Sequence, residues 1–150
     1  MAALLWLWRP ISMIVKIVVD GAPVGKGRPR FSRKTGATYT PEKTAAYECK
    51  VAWAAQQEMR GKELLTGPLR LSISAFVEVP VSKSKKFRID ALEGRELPTK
   101  KPDGDNVLKG VMDALNKVVS VDDVQIVDFE FSKRYCTKPR IEICIENLRG

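Results

Sequence analysis

Residues 68–79 have the sequence PLRLSISAFVEV, in which apolar and polar side chains alternate. Because a strand points successive side chains to opposite faces, this segment is predicted to be a β-strand with one face in the core. The predicted buried face is Leu69, Leu71, Ile73, Ala75, Val77 and Val79, and the predicted polar face is Arg70, Ser72, Ser74 and Glu78. The chain is therefore expected to contain a sheet with a hydrophobic face.

Three further segments have the composition of strands. Residues 13–20 are rich in β-branched side chains and end at Gly21. Residues 124–135 and 140–146 are predicted to be two more strands, separated by a turn at Lys138-Pro139. The last of them alternates Ile141, Ile143 and Ile145 with polar residues.

Two helices are predicted before the acidic part of the chain. Thr40 is expected to cap a helix that starts with Pro41 and runs to about Arg60, where Gly61 stops it. The apolar stripe of this helix is predicted to be Tyr47, Val51, Ala54 and Ala55. A shorter helix is predicted over residues 82–92, followed by a basic loop.

The composition limits the classes of function. At 150 residues with 44% hydrophobic side chains, the chain fits a single domain. A net charge of +8 favours a polyanionic partner, with nucleic acid ahead of an anionic membrane. Since the chain has no histidine, histidine general bases, histidine-metal nucleases and most zinc sites are excluded. Any catalysis depends on carboxylates, lysine or a bound metal.

The cysteines indicate a reducing compartment. Their number is odd and no two have C-x-x-C spacing: Cys49, Cys136 and Cys144. This pattern fits buried structural thiols in a cytoplasmic protein better than a secreted disulfide scaffold.

Residues 1–12 are apolar but do not have the order of a signal peptide. Their only positive residue, Arg9, follows the apolar run, and that run is too short to span a membrane. We interpret them as an N-terminal extension, with Met13 as an alternative start and residues 13–150 as the domain. No other segment approaches spanning length, so we expect a soluble product without a membrane partner.

Residues 24–34, VGKGRPRFSRK, form a basic arm without an acidic side chain. Gly36 is predicted to turn this arm back toward Tyr39 and so make a basic hairpin. Gly25 and Gly27 have little similarity to a phosphate-binding loop, because no helix follows them and the Gly-Lys-Ser/Thr ending is missing.

The acidic part of the chain, residues 102–123, holds five aspartates: Asp103, Asp105, Asp113, Asp122 and Asp123. Carboxylates placed close together repel one another unless a cation or a proton neutralises them. In a chain without histidine, such a group points first to a hard divalent metal.

Residues 105–119 are predicted to form a helix. At about 100° per residue its apolar residues fall on one side, and these are Val107, Leu108, Val111, Ala114, Leu115 and Val118. The opposite side carries a polar stripe of Asp105, Lys109, Asp113 and Asn116. Asp103 lies just before the helix, where a carboxylate can also accept free backbone N–H groups.

The first functional interpretation is a metal site. Asp103 and Asp105 are predicted to converge with Asp123, which is expected at the start of the following strand. Such a set supplies oxygen ligands and leaves positions open for water, as Mg²⁺ prefers. Lys109, one turn from Asp105, is then placed to face a phosphate oxygen during phosphodiester attack.

The alternative interpretation is structural. Here Asp103 and Asp105 cap a helix, Lys109 and Asp113 form a surface pair, and Asp122-Asp123 is a polar turn. The residues alone leave both interpretations open, although the grouping of all these side chains beside a basic arm favours a site.

The sequence resembles the RusA family of Holliday-junction resolvases, which prophages often encode. The resemblance covers most of the chain from Met13 onward and depends on ordered motifs. They are Gly25-Lys26-Gly27-Arg28-Pro29-Arg30 with Tyr39-Thr40-Pro41; Pro98-Thr99-Lys100-Lys101-Pro102-Asp103-Gly104-Asp105-Asn106; Lys109 with Asp113-Ala114-Leu115-Asn116; and Asp122-Asp123-Val124-Gln125-Ile126-Val127.

The resemblance implies an α+β fold, a mixed sheet with helices, that works as a homodimer. It implies that Asp103, Asp105 and Asp123 bind the catalytic metal, Mg²⁺ with Mn²⁺ as a substitute, and that Lys109 is the catalytic lysine. The implied activity is resolution of a four-way DNA junction by paired symmetric nicks, without a small-molecule cofactor. Gly104 departs from the family, which has a larger residue there, so a looser loop is expected.

Other residues have weaker assignments. Asp113 is a candidate for supporting Lys109, and Asp122 for supporting the metal site or forming a turn. The candidates for contacts with the DNA backbone are Lys26, Arg28, Arg30, Lys85, Lys86, Lys100 and Lys101.

Three competing classes of protein have less support from the sequence. A PD-(D/E)xK nuclease is disfavoured because the Glu-x-Lys segment at residues 48–50 precedes Pro102-Asp103 and lies in a predicted helix. A non-catalytic nucleic-acid-binding module stays open as the alternative function. A structural dimer explains neither the basic arm nor the aspartates.

Overall fold

The computed structural model describes residues 13–39 and 41–149. Its strands are β1 (Ile14–Asp20), β2 (Arg30–Phe31), β3 (Thr38–Tyr39), β4 (Leu69–Glu78), β5 (Ile126–Cys136) and β6 (Arg140–Asn147). Its α-helices are α1 (Glu42–Glu58), α2 (Lys85–Leu92) and α3 (Gly104–Leu115). The predicted N-terminal extension and the predicted Thr40 cap lie outside the described residues.

The main sheet is mixed and has the strand order β1-β6-β4-β5. Strand β6 pairs antiparallel with both β1 and β4, whereas β4 and β5 are parallel. The strand predicted over residues 68–79 is therefore confirmed as β4, the longest paired element of the sheet interior. The α+β class and the mixed sheet are also confirmed.

The alternation of β4 decides which face of the sheet is covered. Leu69, Leu71 and Ile73 are buried, and α1 and α3, which pack against each other, share the core with them. Val107 and Val111 of α3 are fully buried in the same core, as its predicted apolar side requires. Burial of these apolar side chains, which contributes about 25 cal/mol per Å² of surface removed from water, is the main stabilisation of the fold.

Helix α3 is shorter than the prediction of residues 105–119. It ends at Leu115 because the backbone of Asn116 is extended and Lys117 adopts a φ of 63°. The Lys117 N–H then donates to the Ser120 carbonyl at 2.8 Å, closing a tight turn. Val119 is still buried, so its apolar side chain reaches the core from a turn instead of a helix.

Other element boundaries also differ from the predictions. Helix α2 begins at Lys85 and not at Ser82, because the Ser84 hydroxyl accepts a hydrogen bond from the Phe87 N–H at 3.1 Å and caps the helix. Strand β5 begins at Ile126 and not at residue 124, since Asp123–Gln125 forms a turn of 3₁₀-helix. Helix α1 ends at Glu58, two residues before the predicted end, and has Pro41 as its N-cap residue.

The basic arm and its hairpin are confirmed. Strands β2 and β3 pair antiparallel, with Arg30 opposite Tyr39. Gly36, between them, has a φ of 69°, a left-handed conformation that glycine adopts without steric cost. No helix among the described residues has the length and apolarity needed to cross a membrane.

Tyr47 of α1 carries a buried hydroxyl that makes no hydrogen bond of good geometry with the described residues, although the Val24 backbone lies close enough to lower its pKa. Burial raises the pKa of Tyr47 to about 12, and the Val24 backbone offsets only part of the shift. Because the pKa is raised, Tyr47 contributes stability to the folded state that is fully present below pH 10, the ordinary pKa of tyrosine. This contribution is lost as the pH rises toward 12.

Tyr47→Phe is therefore expected to raise the free energy of unfolding at pH 7 by about 1 kcal/mol, since it removes an unpaired buried hydroxyl. The variant should also lose less stability between pH 10 and 12 than the wild type. Denaturant unfolding at pH 7, 10 and 12 measures these effects. The control is Tyr39→Phe, at an exposed tyrosine. A less stable Tyr47→Phe protein would show that the hydroxyl has a partner.

Candidate active site

Helix α3 begins at the predicted site, and Asp103 is the residue that starts it. The Asp103 backbone is extended, and its Oδ1 accepts a hydrogen bond from the Asp105 N–H at 3.0 Å. This is an N-cap interaction, which satisfies an N–H group that the helix leaves free. One Asp103 oxygen is thus engaged, and the carboxylate is held next to Asp105.

Asp105 and Lys109 form an ion pair one turn apart on α3. The Lys109 Nζ lies 3.1 Å from Asp105 Oδ2, and the two side chains are 62% and 66% exposed. At such exposure the pair adds at most a few tenths of a kcal/mol to stability. Both groups are therefore free to exchange partners at little cost.

Asp122 and Asp123 interact directly in the 3₁₀ turn. The close approach of their carboxyl groups raises the pKa of Asp123 and lowers that of Asp122, and the negative charge of Asp113 adds to the rise at Asp123. Asp122 also caps the turn, accepting from the Val124 N–H at 3.4 Å, while the Gln125 side chain accepts from the Asp122 N–H at 2.8 Å. The neighbours of Asp123 thus disfavour its negative charge. A bound cation would relieve this repulsion.

An open cleft with a volume of about 220 Å³ brings part of the predicted site together. It is lined by Lys26, Lys109, Met112, Asp113 and Asp123. Asp103 and Asp105 do not line this cleft, although Asp105 is joined to it through its ion pair with Lys109. Residue Asp123, predicted at the start of a strand, reaches the cleft from the 3₁₀ turn instead.

The predicted ligands do not form a closed metal cage. Within residues 13–39 and 41–149, no three acidic or cysteine side chains are grouped closely enough to hold a metal ion. The chemistry of the donors nevertheless fits Mg²⁺, because Asp103, Asp105 and Asp123 offer hard oxygens, the first two on exposed side chains and the third on a partly exposed one. Lys109 now occupies the position beside Asp105 where a cation would bind.

Lys26 joins the basic arm to helices α1 and α3. Its ammonium forms an ion pair with Asp113 of α3 and lies 3.3 Å from Glu48 Oε1 of α1. The hydrogen bond that Lys26 donates to Asp113 is the main reason that the pKa of Lys26 is raised. In the structure Asp113 therefore pairs with Lys26, and Lys109 pairs with Asp105. The predicted support of Lys109 by Asp113 is not a direct ion pair here.

The glycines of the arm allow its close approach to the helices. A Cβ atom at Gly25 would lie 3.2 Å from the Asn106 Cβ, and one at Gly27 would lie 3.1 Å from the Thr44 hydroxyl. The Gly27 N–H donates to that hydroxyl at 3.0 Å, and the Lys26 N–H donates to the Asn106 carbonyl at 2.9 Å. The Gly-Lys-Gly segment is therefore a packing feature.

The other predicted contacts with DNA lie on the surface. Six of the seven candidate side chains are exposed: Arg28, Arg30, Lys85, Lys86, Lys100 and Lys101. Lys26 is the exception, since only 25% of its side chain is exposed and two carboxylates face it. Its role as a contact with phosphate stays a prediction.

The sequence interpretation missed Lys133 of β5. Its ammonium donates hydrogen bonds to the carbonyl oxygens of Lys100, at 2.5 Å, and Pro102, at 3.0 Å. Phe131, Lys133 and Tyr135 are alternate residues of β5, so they point to one face of the strand. The available signal in the sequence was a lysine at a position of this alternating pattern where its two neighbours on the same face are aromatic.

Gly104 does not loosen the loop as expected, because it is the first residue of α3 and packs on an aromatic ring. A Cβ atom there would lie 2.9 Å from Phe131 Cε1. Gly104→Ala is therefore expected to lower the free energy of unfolding by about 1–2 kcal/mol through overpacking.

The matched control for Gly104→Ala is Gly110→Ala, in the middle of the same helix. The Cβ atom there meets only an ordinary contact, 3.7 Å from Lys26 Cβ. That change should stabilise by up to about 1 kcal/mol, since alanine favours helix. Thermal unfolding measures both, and Phe131→Leu should reduce the cost at position 104. Equal effects of the two alanine substitutions would contradict the prediction.

The fold and the cleft define an α+β domain in which carboxylates and lysines face solvent beside an exposed basic arm. This combination is typical of proteins that act on nucleic acids. The chain belongs to the endodeoxyribonuclease RusA family, whose family model matches residues 20–146. The resemblance stated from the motifs is thereby confirmed, and the family supports endodeoxyribonuclease activity in general.

A relative in Bacillus subtilis (strain 168) matches over nearly the whole chain. It is the protein named "Uncharacterized protein YqaN", and the two sequences are 40% identical over 138 residues. The aligned region covers 89% of this chain and 96% of the relative. The relative's name carries no activity, so it supports membership of the family and not a particular substrate.

Proposed function

We propose that this protein is a divalent-metal-dependent endodeoxyribonuclease that resolves four-way DNA junctions by paired symmetric nicks. The observation that carries the proposal is the open cleft that both Lys109 and Asp123 line, with Asp105 joined to it through Lys109. In a member of the RusA family, solvent-facing carboxylates and an exchangeable lysine at one cleft are suited to phosphodiester hydrolysis.

Asp103, Asp105 and Asp123 are the proposed ligands of Mg²⁺, with Mn²⁺ as a substitute. When bound, the metal would supply a nucleophilic water at neutral pH and offset negative charge on the phosphate. Asp103 is held by its cap bond, and Asp123 belongs to the 3₁₀ turn that Asp122 caps, so two of the three carboxylates are attached to defined backbone turns. Asp105 needs only to exchange Lys109 for the metal.

Lys109 is the proposed stabiliser of developing negative charge. Once Asp105 is engaged elsewhere, the Lys109 ammonium is free to turn into the cleft that it already lines. There it donates to a non-bridging phosphate oxygen, whose negative charge increases as water attacks phosphorus. Attack forms a new P–O bond and breaks one ester P–O bond, and the proton of the water ends on the leaving oxygen.

Substrate binding is assigned to the exposed cations of the arm, α2 and the loop before Asp103. These side chains are placed to contact phosphates, which set register and affinity but carry no sequence information. The net charge of +8 supports attraction to DNA over the whole molecule. We further propose a homodimer, because two sites related by a two-fold axis suit paired nicks in a four-way junction.

A non-catalytic nucleic-acid-binding module is the second candidate, and the caps favour it. Asp103 and Asp122 each make a cap hydrogen bond, and Asp105 pairs with Lys109, so each of these side chains also has a structural partner. In that case the acids contribute to turns and helix starts, and the basic surface alone carries function.

The test compares an end-labelled four-way junction with a linear duplex of the same sequence, each with Mg²⁺ or EDTA. The proposal requires paired nicks in the junction, with Mg²⁺ only, and no cutting of the duplex. Binding of the junction without cleavage in any divalent metal would instead establish the non-catalytic module. Cleavage of both substrates alike would retain a nuclease but exclude a junction resolvase.

A further inference from the structure

Lys133 lies half-buried on β5, and its described partners are main-chain carbonyls. The ammonium bridges the Lys100 carbonyl at 2.5 Å and the Pro102 carbonyl at 3.0 Å. Because the two carbonyls are two residues apart in a loop, one side chain fixes the peptide before Lys101 and the peptide after Pro102. An ammonium that is partly removed from water needs such partners to offset its lost hydration.

The second of these carbonyls belongs to the peptide bond that leads into Asp103. Asp103 in turn caps α3 through the Asp105 N–H at 3.0 Å. A hydrogen bond to the Pro102 carbonyl therefore limits how the Asp103 backbone can rotate, and the direction of the Asp103 carboxylate depends on that backbone. The geometry links Lys133 to Asp103 through a single peptide unit.

The same strand also follows the other acidic segment. Strand β5 starts at Ile126, directly after the turn that contains Asp123, and it pairs along its length with β4. Asp123 is thus attached to the start of β5, and the Asp103 loop is attached to its middle by Lys133. One strand, held by the sheet, sets the positions of both segments.

We propose that Lys133 is a positioning residue that holds the loop of residues 98–103, and with it Asp103, in place for metal binding. The inference rests on the proposed function, because it takes the bound metal from it. Its test does not depend on DNA cleavage. Lys133 keeps its ammonium on the carbonyl oxygens, and it acts through the Asp103 backbone without touching the substrate.

The test uses full-length Lys133→Met, Lys133→Arg and a matched control, Arg134→Met. Arg134 is the next residue on β5, is exposed, and donates only to its neighbour's carbonyl among the contacts described. Both methionine variants lose one positive charge from the same strand, so they change general attraction to DNA equally. Only Lys133→Met removes the bond to the loop.

Two readouts are independent of cleavage. The first is hydrogen exchange in metal-free protein, at the Asp105 amide and over residues 98–103. The second is Mn²⁺ affinity by electron paramagnetic resonance. Lys133→Met is expected to speed exchange at these amides and to weaken Mn²⁺ binding by roughly 10- to 100-fold, the usual effect of removing a residue that orients a ligand.

The controls decide between positioning and general charge. Arg134→Met should match the wild type in both readouts, and Lys133→Arg should restore slow exchange in part, because a guanidinium also donates to carbonyls. Wild-type exchange in Lys133→Met, or an equal effect of Arg134→Met, would overturn the proposal. So would faster exchange with unchanged Mn²⁺ affinity.

Cleavage is measured last and separates this inference from the proposed function. If the wild type binds Mn²⁺ but does not cut junctions, the proposed function fails while both readouts still test Lys133. Should Lys133→Met not fold, Lys133→Thr, whose hydroxyl is polar but too short to reach the two carbonyls, is put through the same comparison with Arg134→Thr. Slow exchange and wild-type Mn²⁺ affinity in Lys133→Thr would then overturn the proposal.

Discussion

We expect Asp105→Asn to lose metal-dependent cleavage of a four-way junction by about 10³-fold or more, above the usual effect of one stabilising donor. The neutral amide is a weaker oxygen ligand for Mg²⁺, and it no longer attracts either the metal or Lys109. The fold should persist, because the side chain is 66% exposed and the cap bond uses the Asp105 N–H and not its carboxylate. Single-turnover cleavage, with junction affinity measured in EDTA, gives both quantities.

The matched control for this change is Asp128→Asn. Asp128 is an exposed carboxylate of β5 that lies 3.4 Å from Arg70, away from the cleft, and its substitution changes the net charge equally. It should cleave as the wild type does. Both variants should still bind the junction, since removing a negative charge from the protein does not weaken its attraction to DNA phosphates. Wild-type cleavage by Asp105→Asn would remove Asp105 from the metal site.

The second large effect is expected at Lys109. Lys109→Met should lower the rate of cleavage by about 10²- to 10³-fold, because it removes the proposed donor to the phosphate oxygen. Since the substitution also frees Asp105 from its ion pair, the half-saturating Mg²⁺ concentration should stay the same or fall. This response differs from the loss of a ligand, which raises the Mg²⁺ requirement. Single-turnover rates over a range of Mg²⁺ concentrations measure both.

Lys62→Met is the matched control for Lys109→Met. Lys62 is exposed in the turn after α1, outside the cleft, and loses the same charge. Lys109→Arg should retain part of the activity, since it keeps a positive donor on the same helical face. A Lys109→Met protein with a raised Mg²⁺ requirement and an unchanged rate at saturation would contradict a direct role on the phosphate.

Local patterns predicted the elements that contribute most to the core. The alternation in β4 and the apolar side of α3 are both confirmed by burial of Leu71, Ile73 and Val107. These patterns are reliable because the period of the backbone decides which side chains share a face. Boundaries were less accurate where side chains cap a turn, as Ser84 does before α2 and Asp122 does before β5.

The site was predicted less completely than the fold. The sequence placed Asp105 and Lys109 one turn apart, and the structure joins them in an ion pair. It did not predict that Asp113 would pair with Lys26, because those residues are 87 positions apart and meet only when the arm packs on α3. Lys133 was missed for the same reason, since its partners lie in another segment.

The ordered motifs of the sequence were sufficient for the resemblance to the RusA family. Its composition and short-range periodicity were sufficient for the strand and helix faces and for the residue types available for chemistry. The tertiary structure alone decided which charges face one another. It brings Lys26 to Asp113, Asp123 to the cleft of Lys109, and Lys133 to the loop before Asp103. These contacts depend on how the sheet and helices pack, and no spacing within one segment specifies that packing.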